Sequence, residues 1–456
     1  MRKEEVMRRS GLLLGVIAVL FWSLSGFAQS TMELTLEESV RIALKKSKAL
    51  AMAQEKVRES EARIGEARAG FLPQIGSKAS YTRLDVAPYM SMTNFAIPGM
   101  PAGTMPDKIE MGDDDIYDAA VSAQQPLFTG GKILNGYRMA EYGAEAERFN
   151  YRRSEADVVL HVEEAYYGVL KAQEFKKVSD QAVAQMEAHV RDLENMYRVG
   201  MIAENDLLKA KVQRSNVKLM RIQATNAVRM ARTAFCNVLG IPLDTEVVLK
   251  AKLEYEPSPP VALEEAIQKA LKQRPEVKAM EYTLKIGEKA VSISKAGWLP
   301  NVALIGNYNY KRPNRENEEK WYGSWDVTVA AQMNVFDWGA THYQTAQAKH
   351  RLRQMEEGFG QLRDGITLEV TQSVLALHEA REKVAATQEN VAQAEENYRV
   401  TNEKFKQGMA TNTDLLDANT MWTQARMECV QALADHYVAE AKLEKAMGVL
   451  QSQKPD

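Results

Sequence analysis

The chain is poor in the residues on which enzymes and disulfide-stapled proteins are built. Its 456 residues hold 2 cysteines and 6 histidines. Two cysteines cannot make the disulfide framework of a small secreted domain. The histidines, at 161, 189, 342, 350, 378 and 436, are scattered, and His378-Glu379 lacks the second histidine of a helical zinc motif. No glycine-rich phosphate loop and no nucleophile elbow occurs. The sequence therefore offers no catalytic constellation and implies no cofactor and no metal. A formal net charge of −3 gives no basic excess for nucleic acid. Beyond residue 30 no apolar run is long enough to cross a bilayer as a helix.

The N-terminus carries an export signal. Arg2, Lys3, Arg8 and Arg9 form a basic head, Gly11 to Trp22 an apolar core, and Gly26-Phe27-Ala28 small cleavage residues. This pattern predicts a mature chain beginning near Gln29. An uncleaved anchor helix would need a longer apolar run.

What the chain has in abundance is itself, twice. Residues 34–73 align without gaps to 261–300 at an offset of 227, so that Leu36-Glu37-Glu38 falls on Leu263-Glu264-Glu265 and Gly70-Phe71-Leu72-Pro73 on Gly297-Trp298-Leu299-Pro300. Later segments match at an offset of 208. Pro126-Leu127-Phe128-Thr129-Gly130-Gly131 faces Asn334-Val335-Phe336-Asp337-Trp338-Gly339, and 197–210 faces 405–418. The first copy thus carries 19 extra residues between Pro73 and Pro126. One duplication explains both copies. The organisation reads as a signal peptide over 1–28, a first repeat over 34–240 with a β-hairpin at 74–128, and a linker over 241–260. A second repeat follows over 261–448 with a β-hairpin at 301–336, then a tail over 449–456.

Each copy opens with a short amphipathic helix, Leu36 to Lys46 or Leu263 to Gln273, and a longer helix ending at Gly-Phe/Trp-Leu-Pro. Two strand-like runs come next. A very long helix then runs from Gly131 to Gly200, or from Gly339 to Gly408, and a return helix from Asp206 to Gly240, or Asp414 to Gly448. Gly131 to Val199 holds no proline and would span roughly 100 Å if continuously helical. Its apolar positions recur by sevens: Val162, Val169, Val183, Val190 and Tyr197, with Lys176 interrupting. The second copy has Val370, Leu377, Val384, Val391, Tyr398 and Phe405. That is coiled-coil spacing. Cys236 and Cys429 fall at different heights on the return helices, about 22 Å apart if the copies pack in register, which is too far for a bridge. Both read as packed small hydrophobes. The linker carries a strand-like run over Glu246–Leu253.

An intracellular coiled-coil rod would share these helices, but not the strands. Trp325, Val327, Val329, Ala331, Met333 and Val335 alternate with Ser324, Asp326, Thr328, Ala330, Gln332 and Asn334. Val302, Leu304, Tyr308 and Tyr310 alternate with polar residues before them, and Tyr117, Ala119, Val121, Ala123 and Leu127 do so in the first copy. Alternation over about 10 residues with aromatics toward the ends is the pattern of transmembrane β-strands. A soluble half-buried hairpin has the same period, and export favours the membrane reading. Four strands cannot close a barrel, since barrels begin at about eight, and open edges are not tolerated in lipid. The chain must then oligomerise.

The Leu-Glu-Glu openings, the Gly-Phe/Trp-Leu-Pro helix ends, Pro-Leu-Phe-Thr-Gly-Gly and the two Gly-Met-x-x-x-x-Asp-Leu-Leu-x-Ala turns occur in one order, twice. In them the chain resembles the TolC family of outer-membrane efflux and secretion channels, from about residue 34 to 450. The resemblance implies a mixed α and β membrane protein. Its long coiled-coil α-helical tunnel would cross the periplasm, and its four strands per chain would join a trimeric, twelve-stranded transmembrane barrel. It implies a homotrimer in contact with outer-membrane lipid, docked on a periplasmic membrane-fusion adaptor and an inner-membrane transporter of RND or ABC type. It implies a passive duct, not an enzyme.

By match to the family, Gly200, Met201, Gly408 and Met409 lie in turns that contact the adaptor, although glycines there also serve as helix C-caps. Asp414 and Asp417, three residues apart, share a helix face and would project into the narrowest part of the tunnel. Six carboxylates from three chains would favour cations and raise some of their own pKa values. Asp414 also suits a helix N-terminus, as does Asp206. The counterpart of Asp417 is Lys209. The family's closed entrance is often tied by a Tyr hydroxyl and an Arg reaching the Asp at the Asp206 position. Here Phe405 and Ala410 stand at those places and cannot make the bonds, so closure would rest on apolar packing of Phe405 or be less tight. Residues 88–115 contain Met90, Met92, Met100, Met105 and Met111. They would suit soft Cu(I) or Ag(I), though a Pro/Gly-rich stretch between strands is most simply an external loop. The competing reading is an exported coiled-coil or adhesion protein without a pore.

Overall fold

The computed structural model describes residues 32–91, 108–257, 259–316 and 318–450. The signal peptide, Met92, Met100, Met105 and the end of the tail lie outside the described residues. The chain divides into two compact units. One takes the chain up to Ala51, Ser154–Arg274 and Ile366 onward; the other takes Met52–Arg153 and Pro275–Gly365. Among the described residues no helix is long and apolar enough to cross a membrane.

The first copy is β1 (Met32–Leu34), α1 (Leu36–Lys46), α2 (Lys48–Ala69), β2 (Gln74–Arg83), β3 (Tyr89–Ser91), β4 (Lys108–Glu110), β5 (Asp115–Phe128), α3 (Lys132–Arg198) and α4 (Glu204–Leu239). After β6 (Val247–Leu249) comes the second: α5 (Leu263–Gln273), α6 (Pro275–Lys295), a 3-10 turn, β7 (Asn301–Arg312), β8 (Tyr322–Gln332), α7 (Ala340–Lys406) and α8 (Asn412–Ala446). The two long helices α3 and α7 are 67 residues each.

The seven-residue seam is buried over part of its length, with Val391, Tyr398 and Phe405 only half-buried. Val162, Val169, Val183 and Val190 are buried, and so are Val370, Leu377 and Val384. Lys176 occupies the interrupted position by turning to Asp180, 2.6 Å away and still partly in solvent. Tyr197 departs from the seam and is exposed. A straight helix drifts about 20° per heptad, and at this end Leu193 and Met196 have taken over the packed stripe.

The core of the first unit gathers Tyr166, Val162 and Val169 of α3 around Phe235, Cys236 and Leu239 of α4, with Ala43 of α1 beneath. Tyr166 meets Phe235 edge-on at 6.0 Å. Cys236 is buried in this cluster and Cys429 half-buried, both as free thiols. The linker strand is shorter than its sequence pattern. It pairs in parallel with β1, which has no strand signature of its own, through Met32↔Val247 and Leu34↔Leu249. Leu34, Val247 and Leu249 are buried in the same core. Thr35 then starts α1 with a reciprocal cap to Glu38.

The second unit holds a four-stranded antiparallel sheet in the order β2-β5-β7-β8. Its register lines up one face across all strands. Ile75, Ala123, Gly306 and Val327 form one row, and Ser77, Val121, Tyr308 and Trp325 the next. The rows between them, on the other face, are Gly76, Ser122, Asn307 and Asp326, then Lys78, Ala120, Asn309 and Ser324. On that face Asn307 donates to Asp326 at 2.9 Å and Lys311 pairs with Asp118 at 3.0 Å. The apolar face stands open, with Trp325 75%, Val327 62% and Val329 66% exposed. Tyr81, Tyr117, Tyr310 and Trp321 cluster at one end, Tyr310 stacked on Trp321 at 4.8 Å. Phe336 and Trp338 pack on each other just after β8. The alternation read through Val335 outlasts the strand, which stops at Gln332. Among the described residues the outer edges of β2 and β8 carry no further strand. Inside the first copy's extra segment, β3 and β4 form a short hairpin, with Met90 and Met111 exposed.

Candidate functional site

The two turns that join each long helix to its return helix are built alike. After α3, the Gly200 amide donates to the Tyr197 carbonyl at 3.0 Å and the Met201 amide to the Met196 carbonyl at 2.9 Å. After α7, Gly408 donates to Phe405 at 3.0 Å and Met409 to Lys404 at 2.8 Å. These are paired Schellman closures, which satisfy the last carbonyls of the helix. They need a left-handed residue, supplied by Gly200 at φ 77 and Gly408 at φ 74. With the chain turned so sharply, Met201 and Met409 project outward, 72% and 66% exposed.

Past the turns the copies differ. Thr411 caps α8 with a reciprocal box to Asp414, the Thr411 amide donating to the carboxylate at 2.9 Å and the Asp414 amide to Thr411 Oγ1 at 3.2 Å. In the first copy Ala203 stands at the cap and makes no side-chain bond. The Thr411 hydroxyl, and then its backbone amide, hold the Asp414 carboxyl below the usual aspartate value. Asp206 instead has Lys209 at 4.0 Å. Asp414 and Asp417 are both exposed, while Leu415, Ala418 and Asn419 between and after them are buried.

Phe405 is half-buried in a cluster with Val190, Leu193, Leu207 and Ala210, so the second copy's long helix packs on the first copy's turn. Its ring also meets His189 edge-on at 5.4 Å. His189 Nε2 lies 2.8 Å from Asn412 Oδ1, and Asn412 Nδ2 donates to the backbone carbonyl of Asp206 at 2.9 Å. Burial lowers the His189 pKa, against the raising pulls of the Asn412 bond and the Asp192 charge. Lys209 reaches Thr413 Oγ1 at 3.5 Å and Gln213 donates to Thr420 at 3.2 Å.

The structure thus brings Phe405 and the Asp206 backbone into one contact region, ties Asp414 to its own cap, and leaves Asp417, Met201 and Met409 open. His189 and Asn412 escaped the sequence reading. The signal was present in the alignment, where Asn412 faces Glu204 and His189 faces Asn397. Among the described residues no group of three His, Cys, Asp or Glu side chains gathers as a metal site.

A doubled long-helix hairpin joined to a two-faced, open-edged sheet defines the class of outer-membrane export channels. The profile of the outer membrane efflux protein family matches twice, over residues 40–241 and 266–449. The outer membrane protein TolC of Vibrio cholerae is 22% identical over 399 residues, covering 86% of this chain and 85% of its own. The alkaline protease secretion protein AprF of Pseudomonas aeruginosa is 24% identical over 353 residues, 76% of this chain and 73% of its own. The crystal structure of the Campylobacter jejuni CmeC outer membrane channel superposes with a TM-score of 0.76 at 18% identity, over 92% of this chain and 87% of that one. The chain belongs to the outer membrane efflux protein family. The alternative of an exported rod without a pore falls with that membership.

Proposed function

We propose that three copies of this chain form a passive duct, the outer-membrane component of a tripartite efflux or type I secretion system. Each copy contributes four strands to a twelve-stranded barrel, with the apolar sheet face toward outer-membrane lipid and the polar face toward water. The observation that carries this is the register. It sorts the side chains of four strands from two separate hairpins into one apolar and one polar face, while among the described residues both edges are left unpaired. A lipid-exposed edge must find a partner, and a second copy supplies one.

In this reading the signal peptide is removed near Gln29 and the helices lie in the periplasm. The Gly200-Met201 and Gly408-Met409 turns meet a periplasmic membrane-fusion adaptor, which couples the duct to an inner-membrane transporter of RND or ABC type. Asp414, Asp417, Asp206 and Phe405 line the entrance. The duct performs no chemistry, and its transporter supplies the energy. The test is fractionation followed by bilayer recording. A heat-resistant trimer in the outer-membrane fraction that forms discrete conductance steps is expected. A soluble periplasmic monomer would sink the reading.

A further inference from the structure

A cavity of about 250 Å³ lies between α4 and α8, the return helices of the two copies. Its floor is apolar: Val217 is buried, and Met220 and Met427 are half-buried beside it. Val217 and Met220 belong to a packed cluster with Val183 and Met186 of α3 and Leu416 of α8, so the floor is preformed. The two thioether side chains are unbranched and adapt to rings of varied outline. Asn419 also lines the cavity, only 4% exposed, and its amide oxygen has no hydrogen-bond partner among the described residues. The other polar side chains around it are engaged. Gln213 accepts from Asn216 and donates to Thr420 Oγ1, each at 3.2 Å. Thr423 Oγ1 donates to the Asn419 carbonyl at 2.8 Å and Gln424 to the Glu428 carboxylate at 2.9 Å. A buried acceptor left open is costly. The aligned residue of the first copy, Lys211, avoids that cost by reaching Glu194 at 3.1 Å.

We propose that this cavity binds a small aromatic amine, its ring on Val217, Met220 and Met427 and its ammonium donating to Asn419 Oδ1. The chemistry follows from the lining. An amide oxygen can only accept, so the ligand must bring a donor, and the apolar floor calls for a hydrocarbon body. Among the described residues Glu428 is the one charged side chain in the lining. A cation is therefore favoured over a carboxylic acid, and a charged N–H makes the stronger bond to Asn419. The space falls just below the about 300–1,000 Å³ of drug-sized sites, so it suits one or two rings and not a large amphiphile. Water would satisfy Asn419 and leave the floor wet; an aromatic amine satisfies the one and dries the other. The site is built within a single chain and stands apart from the duct reading.

The test uses the full mature protein in lipid nanodiscs, with naphthylmethylamine as the probe. Equilibrium dialysis against empty nanodiscs reads binding, and amide hydrogen exchange locates it. Wild type is expected to bind one amine per chain, saturably, with exchange slowed at residues 213–220 and 419–428. Asn419→Leu removes the acceptor and should weaken binding about tenfold or more. It should leave the free protein at least as stable in thermal melts, since it deletes an unsatisfied group. Met427→Trp fills the space and should abolish binding. Glu428→Gln should weaken the amine about threefold, and less at high salt. Methylnaphthalene, which has no donor, should bind at least about tenfold more weakly than the amine and be indifferent to Asn419→Leu. Uptake no greater than by empty nanodiscs would overturn the site, as would wild-type binding by both Asn419→Leu and Met427→Trp. Naphthylacetic acid bound as tightly as the amine would overturn the ligand class. A free protein destabilised by Asn419→Leu would also count against the site, because the oxygen would then have a partner already.

Discussion

Thr411 and Asp414 satisfy each other's backbone amides at the start of α8, whereas the aligned Ala203 leaves Asp206 without such a bond. The difference makes one return helix better anchored than the other. Thr411→Ala should cost about 1 kcal/mol, the usual worth of an N-cap. Ala203→Thr should slow exchange of the amides just after it. Because Asp414 is held below its ordinary value, the cap is fully formed above about pH 4 and is lost only as pH falls through the lowered pKa. Exchange at residues 412–415 measured from pH 7 to pH 3 checks this.

Asp417 sits on the open face of α8 with Lys209 as its counterpart on α4. If it lines the duct, Asp417→Asn should lower the cation-to-anion permeability ratio of the reconstituted channel. Lys209→Asn should raise it. A reversal potential unchanged by both substitutions would place Asp417 away from the ion path.

Opposite faces of one strand should respond oppositely. Val329 stands on the apolar face of β8, paired with Leu304, and Thr328 on the polar face beside it. Val329→Lys is expected to cost about 2–4 kcal/mol if the position lies near the bilayer midplane. Thr328→Lys should be close to neutral. Denaturant unfolding from lipid vesicles compares the two.

Glu163 of α3 is pushed up to about 7, first by burial and then by Glu444 and Glu440 of α8. Its folded value lies above its unfolded one, so the folded state holds the extra proton between about pH 4.5 and 7. Stability must fall as pH rises through that window. Glu163→Gln should flatten this dependence and raise stability at pH 8 by on the order of 1 kcal/mol, discounted because the side chain is not fully buried. Thermal melts at pH 5 and pH 8 decide it. A wild-type protein more stable at pH 8 would contradict the assignment.

Much of the scaffold was readable because it is periodic. The helix bounds of α1 and α5 follow from amphipathic spacing and their flanking breaks, and the sevens in α3 and α7 mark a seam that is buried over most of its length. Tyr197 was misplaced because a seam is only as straight as the helix that carries it. The β1 strand was invisible because three residues, Met32–Leu34, have no period to detect. At the turns the glycines and aspartates announced themselves through the repeat. The His189–Asn412 bond did not, since a lone histidine and a lone asparagine form no pattern.

The sequence by itself determined the duplication, the helices, the alternating strands and the turns, because each depends on residues within a few positions of one another. The tertiary structure decided which parts of the two copies meet. It set β5 beside β7, so that hairpins from different repeats share one sheet and one apolar face. It also brought Asn412 to His189, 223 residues away, and to the carbonyl of Asp206. Those contacts depend on how two long hairpins pack side by side, a non-local fact that the local pattern of neither copy contains.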